Sequence, residues 1–249
     1  MEILSFSLVG KFAHFRAFYA NSSNISHTIP PPTTIRGIIA AIIGIEKNKY
    51  HEELSNNKLR IAINIDSDIE KSSHKQNFLA IESDNSFAGS NGHTQIPLEI
   101  ITPKNLHNDN ICYKIYLDVV EPDFRHILYN KLKDRNPHFN ITLGLANFSA
   151  TITDVNIFSA EERNATNEII EFDSAVLTKS ISKIINVGNS PYHTETDILP
   201  IDFTANHSRA LRKTTEVIFC RNQNKLKVVF SGDFYRITAP YNKIIQFIE

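Results

Sequence analysis

The chain has 249 residues, 41% apolar and 21% charged, enough for one large domain or two small ones with hydrophobic cores. Its formal net charge of −1 argues against binding nucleic acid through bulk electrostatics, so a polyanionic partner would have to meet local patches. No apolar run approaches the ~20 residues of a membrane span, and the N-terminus lacks a signal-peptide pattern, so no membrane association and a cytoplasmic location are expected.

Ile3 to Val9 alternates, with Leu4, Phe6 and Leu8 on one face and Ser5 and Ser7 on the other. This is the period of a half-buried strand, which Gly10 ends. An aromatic, basic connection, KFAHFRAFYANSSNISHTIPPP, runs from Lys11 to Pro32, and its three prolines exclude helix there. Thr33 or Thr34 is expected to cap the helix that follows. Ile35, Ile38, Ile39, Ile42 and Ile43 form one apolar stripe facing a sheet, and Gly44 supplies the stop.

Leu59, Ile61, Ile63 and Ile65 mark a second strand. Residues 66–93 read as an excursion, polar and turn-rich to Asn77 and strand-like from Phe78 to Glu82. Ser, Asn and two glycines then lead to a return near Thr94. Ile111 to Val119 makes another strand. Pro122 opens a helix whose stripe is Phe124, Ile127, Leu128 and Leu132, with Arg125, Lys131 and Lys133 outside. From about Phe139 the chain is β-rich, with strands expected at 147–158, 168–177, 216–221 and 225–238. The predicted fold class is α+β: a ferredoxin-like (RRM-like) domain over 1–140 with an inserted hairpin at about 66–93, followed by a β-rich region over 141–249.

Chemistry was sought in spacing. The ten histidines are scattered without an HExxH or a His-x-His pair, and Cys112 and Cys220 share no paired spacing. No metal site, cofactor site or disulfide framework is expected, and both cysteines read as small buried residues. Phosphate-binding glycine motifs and a GxSxG elbow are missing. Between Glu2 and Glu46 there is no acid, while Lys11, His14, Arg16, His27 and Arg36 fall there. A second acid-free window, between Asp202 and Glu216, holds His207, Arg209, Arg212 and Lys213. Cations interleaved with Phe12, Phe15, Phe18 and Tyr19 suit single-stranded RNA, whose splayed bases stack on rings while cations meet phosphates. Some of these rings must be core. The same loop also holds the residue types of metal-free RNA cleavage, in His14, His27, Tyr19 and Lys11.

The run GKFAHFRAFYANSSNISHTIPPPTTIRGIIAAIIG, Gly10 to Gly44, resembles the N-terminal signature of the RAMP-family Cascade subunit that binds the 5′ handle of crRNA. A third proline, in Pro30 to Pro32, is a small departure. TQIPLEIITPK, Thr94 to Lys104, is similar to the segment that re-enters that family's core after its thumb, and ITLGLANFSATI, Ile141 to Ile152, resembles its Leu-Gly strand region. The resemblance covers roughly the first 150 residues and is nearest to the type I-B flavour. It implies a RAMP domain with a thumb hairpin, in a non-catalytic subunit that grips the crRNA 5′ handle and caps the backbone filament of a type I surveillance complex, in antiviral defence or guided DNA targeting. RNA contact is then expected from Lys11, His14, Phe15, Arg16, Phe18, Tyr19, His27, Thr33, Thr34, Arg36, Arg209 and Arg212, with an anion site at the start of the helix. Phe87, Asn91, His93, Thr94 and Gln95 are expected to meet a partner through the thumb. The implied partners are a Cascade backbone subunit, the large PAM-reading subunit and target DNA near its PAM-proximal end. The alternative is a metal-independent endoribonuclease that processes pre-crRNA repeats, as one branch of the family does.

Overall fold

A long antiparallel sheet organises the chain in a computed structural model that describes all residues except 22, 48, 186–193, 205–209 and 239–241, and the side chain of residue 85. The elements follow in the order β1 (Glu2–Gly10), β2 (Phe15–Arg16), β3 (Ser26–His27), α1 (Pro32–Ile43), α2 (Tyr50–Glu53), β4 (Leu59–Ile65), β5 (Ile69–Leu79), β6 (His93–Pro103), β7 (Ile111–Val119) and α3 (Pro122–Lys133). The rest is strand: β8 (Ala150–Phe172), β9 (Val176–Leu177), β10 (Ile181–Ile184), β11 (Thr194–Phe203), β12 (Leu211–Cys220), β13 (Leu226–Ile237) and β14 (Lys243–Ile245). The architecture is mixed α/β and rich in strand.

The main sheet runs β10-β13-β8-β1-β7-β4, with β14 beside β13. Leu4, Phe6 and Leu8 of β1 point to the helical face, where Ile35, Ile38, Ile39 and Ile42 of α1 join Leu128 and Leu132 of α3 in one core. The stripe of α1 is as the sequence predicts. That of α3 is narrower, because Ile127 is 54% exposed. The first strand is not half-buried. Ser5 and Ser7 are covered too, since Ile3, Tyr116, Phe158, Tyr235, Ile237, Ile245 and Phe247 build a second core on the other face. The edge strand β4 is closed by the last residues, Ile248 N–H donating to Ile61 O at 2.9 Å, and by Ala175 N–H donating to Ile63 O at 2.8 Å. Both bonds occupy edge groups that would otherwise template pairing with another chain.

Neither Thr33 nor Thr34 caps α1. The helix begins at Pro32 with Pro31 at the cap position and no side-chain cap bond. A proline in the first turn has no N–H to satisfy and is pre-set for helical φ, so the proline run itself starts the helix. Gly44 does end it, at φ 90° with its N–H donating to Ala40 O.

The excursion after β4 is more regular than its polar sequence suggests. β5 and β6 pair from Ile69↔Pro103 to Leu79↔His93, so the arm extends to Pro103 rather than ending near His93. In the C-terminal half, the two strands expected at 147–158 and 168–177 are largely one strand, β8, which continues through the polar stretch 159–167. Strand β11, masked in the sequence by Pro200 and its acids, was not anticipated. It pairs with β12, and β12 with β9, in a separate three-stranded sheet. Ala175, Leu177, Leu199, Val217 and Phe219 from this half share the core of α1 and β1.

Candidate nucleic-acid interface

The aromatic connection between β1 and α1 is a built object. Its two short strands pair Phe15 with His27 and Arg16 with Ser26. The alternation buries Phe15 and Ala17 and turns Arg16 outward. Ser26 Oγ accepts from Phe15 N–H at 2.9 Å and donates to His27 O at 2.8 Å, closing the turn from inside. Further on, Ala13 pairs with Ile101 and Asn24 with Leu98, so the loop lies along β6 at the base of the arm. Glu99 ties the two: its carbonyl accepts from His14 Nδ1–H at 2.7 Å and its carboxylate from Ser26 N–H at 3.0 Å.

Two more carboxylates hold the loop from β11. Asp197 Oδ2 accepts from His27 Nδ1–H at 2.8 Å, while Oδ1 accepts from Ile198 N–H at 2.8 Å and Tyr19 Oη–H at 3.3 Å. Glu195 accepts from the Thr28 hydroxyl at 2.8 Å, from Lys71 Nζ at 3.2 Å and from Arg221 Nε. Burial opposes the Glu195 charge, but Arg221, Lys71 and Thr28 together hold its carboxyl below the ordinary range. The Tyr113 hydroxyl donates to Thr28 O at 2.8 Å and completes the anchorage. Sequence reasoning missed Glu99, Glu195, Asp197, Lys71 and Arg221. Their only sequence signal was negative: the loop carries donors and no acid.

This packing sorts the expected RNA-contacting residues. Phe15 is core, edge-on to Tyr113 at 5.8 Å between ring centres. His14 and His27 are also covered, His27 completely. Burial moves the His14 imidazole down, against the raising effect of its bond to Glu99 O, which favours the neutral ring. Arg36 is only 4% exposed: Nη1 donates to Ile201 O at 2.6 Å and Nη2 to Asn56 Oδ1. Burial pushes its pKa down to about 10, still charged at neutral pH. It pins α1 to β11, which leaves little of the guanidinium exposed for the phosphate contact expected from the sequence. Thr33 is buried and Thr34 half-buried. The expected anion site at the start of α1 is largely spent, because Pro32 has no N–H and the N–H groups of Thr34 and Ile35 donate to Pro31 O.

The surface keeps Arg16, Phe18 and Tyr19. Phe18 is 38% and Tyr19 51% exposed; their rings meet edge-on at 5.1 Å and lie over His27. Burial, with Asp197 second, pushes the Tyr19 phenol up to about 12, so it remains a donor. The Arg16 side chain makes no hydrogen bond or ion pair among the described residues and faces solvent. Lys11 donates to Asp109 O at 2.6 Å, and Phe12, 36% exposed, lies 5.7 Å from Phe148. Arg212 is exposed on β12, 3.8 Å from Asp202, while Arg209 lies outside the described residues. On the arm, Phe87 is 67% exposed on the helical turn Asp84–Ala88. Asn91, His93, Thr94 and Gln95 are exposed beside it, Asn91 donating to Ser86 Oγ. No cluster of three potential metal ligands occurs among the described residues, nor is any helix there long and apolar enough to cross a membrane.

Residues 3–96, which carry β1, the aromatic loop, α1, β4 and the outgoing strand of the arm, match the family model described as CRISPR-associated protein (Cas_Cas5). No curated protein matches the sequence. A chain of a CRISPR RNA-guided surveillance complex aligns over 91% of this chain and 90% of its own, at 11% identity and a TM-score of 0.48. A CRISPR protein from Archaeoglobus fulgidus aligns over 98% of both chains at 14% identity, with a TM-score of 0.60. The N-terminal part of the chain thus matches the sequence pattern of a CRISPR-associated family, and the chain as a whole shares the fold of a CRISPR protein.

Proposed function

We propose that this chain is a crRNA-binding subunit of a CRISPR effector complex, gripping the 5′ handle of the guide and capping the backbone filament. The observation that carries this reading is the pair of exposed rings, Phe18 and Tyr19, on a loop that also turns an uncommitted Arg16 outward, within the segment matched by the family model. Rings that stack bases, beside a cation for phosphates, make a sequence-tolerant grip on single-stranded RNA. The strand order β8-β1-β7-β4, with α1 and α3 packed in one core, is the order expected of a ferredoxin-like domain, and we read it as a RAMP core. The β5–β6 arm is then the thumb, with Phe87, Asn91, His93, Thr94 and Gln95 offered to the backbone subunit. The large PAM-reading subunit and PAM-proximal target DNA are the other neighbours in this reading, and the type I-B assignment rests on the resemblance of the loop.

The burial of the loop histidines favours a binding role over cleavage. His14 and His27 each donate Nδ1–H to a fixed acceptor and are only 4% and 0% exposed, which supports that reading.

The test is binding of labelled repeat RNA in EDTA, by anisotropy and on a denaturing gel, for wild type, Phe18→Ala, Tyr19→Ala and Tyr19→Phe. Loss of one stacked base weakens binding by about 5- to 150-fold in either alanine variant, while Tyr19→Phe keeps its ring and binds as wild type. Alanine variants that bind as wild type would overturn the interface. A discrete RNA product from wild type would make the chain a nuclease instead.

A further inference from the structure

A second feature next to the loop fits a ligand of defined chemistry. A cleft of about 440 Å³ opens along α1, with Thr34 and Gly37 on its helical side, Tyr50 and Phe203 among its walls, and Asn140 and Thr142 across from them. That volume lies in the range of small-molecule sites, roughly 300–1,000 Å³. None of the lining residues is Asp, Glu, Lys or Arg. The lining thus offers a phosphate or carboxylate no Lys or Arg, and its imidazole, His51, is only 7% exposed and lies 4.1 Å from the Tyr50 ring, whereas a neutral, flat group with donors and acceptors finds hydroxyls, an amide and aromatic rings. The cleft adjoins the aromatic loop, because its residue Gly144 packs directly on the His14 carbonyl.

Gly37 sharpens the case. A glycine inside a helix is destabilising relative to alanine, so it calls for a reason. Among the described residues no close contact supplies one: a Cβ at Gly37 would meet the Tyr50 ring, at 3.6 Å to Oη and 3.8 Å to Cζ, which is ordinary contact. What the missing side chain does is keep the cleft open against the helix backbone, the arrangement expected where a ligand approaches closely.

We infer that this cleft receives one unstacked nucleobase of the bound RNA, packed along Gly37 and against Tyr50 or Phe203 and hydrogen-bonded by Asn140 and Thr142. The inference rests on the RNA-binding reading above and adds a site distinct from the exposed Phe18–Tyr19 pair.

The test uses the full chain and an oligoadenosine RNA carrying a 5′ fluorescein and one internal 2-aminopurine. Anisotropy reports total binding, and 2-aminopurine emission reports the surroundings of one base. Gly37→Leu places the side chain of a good helix former in the part of the cleft beside α1, so its thermal melt should be no lower than that of wild type. The expected result is a 2-aminopurine signal on binding to wild type that is lost in Gly37→Leu, with affinity down by about fivefold or more. Wild-type binding that Gly37→Leu leaves unchanged in both readouts overturns the base site and spares the RNA-binding reading. If free 2-aminopurine riboside binds as tightly as the oligonucleotide, the cleft serves a nucleoside and the inference falls. Absence of anisotropy change with wild type overturns the RNA-binding reading itself, and the site with it.

Discussion

Replacing Gly144 by alanine should unseat the aromatic loop, and the size of the effect follows from one close approach. Gly144 has φ +97°, and a Cβ placed there lies 1.7 Å from His14 O and 2.7 Å from its carbonyl carbon. Carbon–oxygen contacts settle near ~3.3 Å, so the two backbones must part by roughly 1.5 Å. That movement breaks the bond from His14 N–H to Leu143 O, 2.9 Å long, worth about 1 kcal/mol. Holding a side chain in the left-handed region adds roughly 1–2 kcal/mol. With lost packing around Phe15, the total is about 3 kcal/mol or more, which for a chain of this length lowers Tm by roughly 6–12 °C. Gly37→Ala is the matched control: its Cβ has room, and helix propensity predicts a gain of up to about 1 kcal/mol. Differential scanning calorimetry compares the two. A Gly144→Ala melt within about 2 °C of wild type, less than 1 kcal/mol accounts for, would refute the close approach of residues 14 and 144.

Two further predictions concern protons. His14 has its pKa lowered by folding from 6.5, chiefly by burial, so it stabilises the fold fully above about pH 6.5 and loses that contribution as pH falls through the lower folded value. His14→Asn keeps a donor for Glu99 O without titrating, so its urea midpoint should approach or overtake that of wild type as pH drops from 7 to 5. A constant difference would show that His14 is not the titrating group. Glu195 is likewise lowered, because its three donors outweigh burial, so its contribution is full above about pH 4.5 and lost below. Glu195→Gln should cost about 2 kcal/mol at neutral pH, a value that allows for the partial exposure of Arg221, and the gap to wild type should close toward pH 3. Urea titrations at a series of pH values check both.

The strands and helices around α1 were legible because burial repeats. The stripe Ile35, Ile38, Ile39, Ile42 and the alternations in β1, β4 and β7 each record one face on one core. Where a segment is covered by something distant, the pattern misleads. Ser5 and Ser7 look solvent-facing, yet both are buried, on the face of β1 where Ile3 joins a second core. The arm hid its first strand, since residues 73–79 are exposed on both faces and leave no apolar period to read. Strand β8 hid its continuity for the same reason, its middle being Glu161, Glu162 and Arg163. The candidate site was legible as a segment and not as a set of side chains. Aromatic and basic residues named the loop, but only the fold decides that Phe15 and Arg36 turn inward while Phe18 and Arg16 turn outward.

The acid-free stretch from Ile3 to Ile45 joins these observations. The loop satisfies some donors itself, as at Ser26, but it has no carboxylate for the rest, and buried donors without acceptors are costly. Its acceptors therefore come from elsewhere: Glu99 from the base of the arm, and Glu195 and Asp197 from β11. These three meet the donors that point inward, namely Ser26 N–H, Thr28, His27 and Tyr19. Arg16 is turned outward and meets none of the three. Had the loop carried its own acids, its interior would need fewer outside anchors, and its surface would repel the polyanion that the exposed rings are suited to stack. The same absence thus accounts for the acceptors drawn from outside the loop and for an Arg16 that none of them neutralises. Glu99 also ties the loop to the arm, through its carbonyl to His14 and its carboxylate to Ser26.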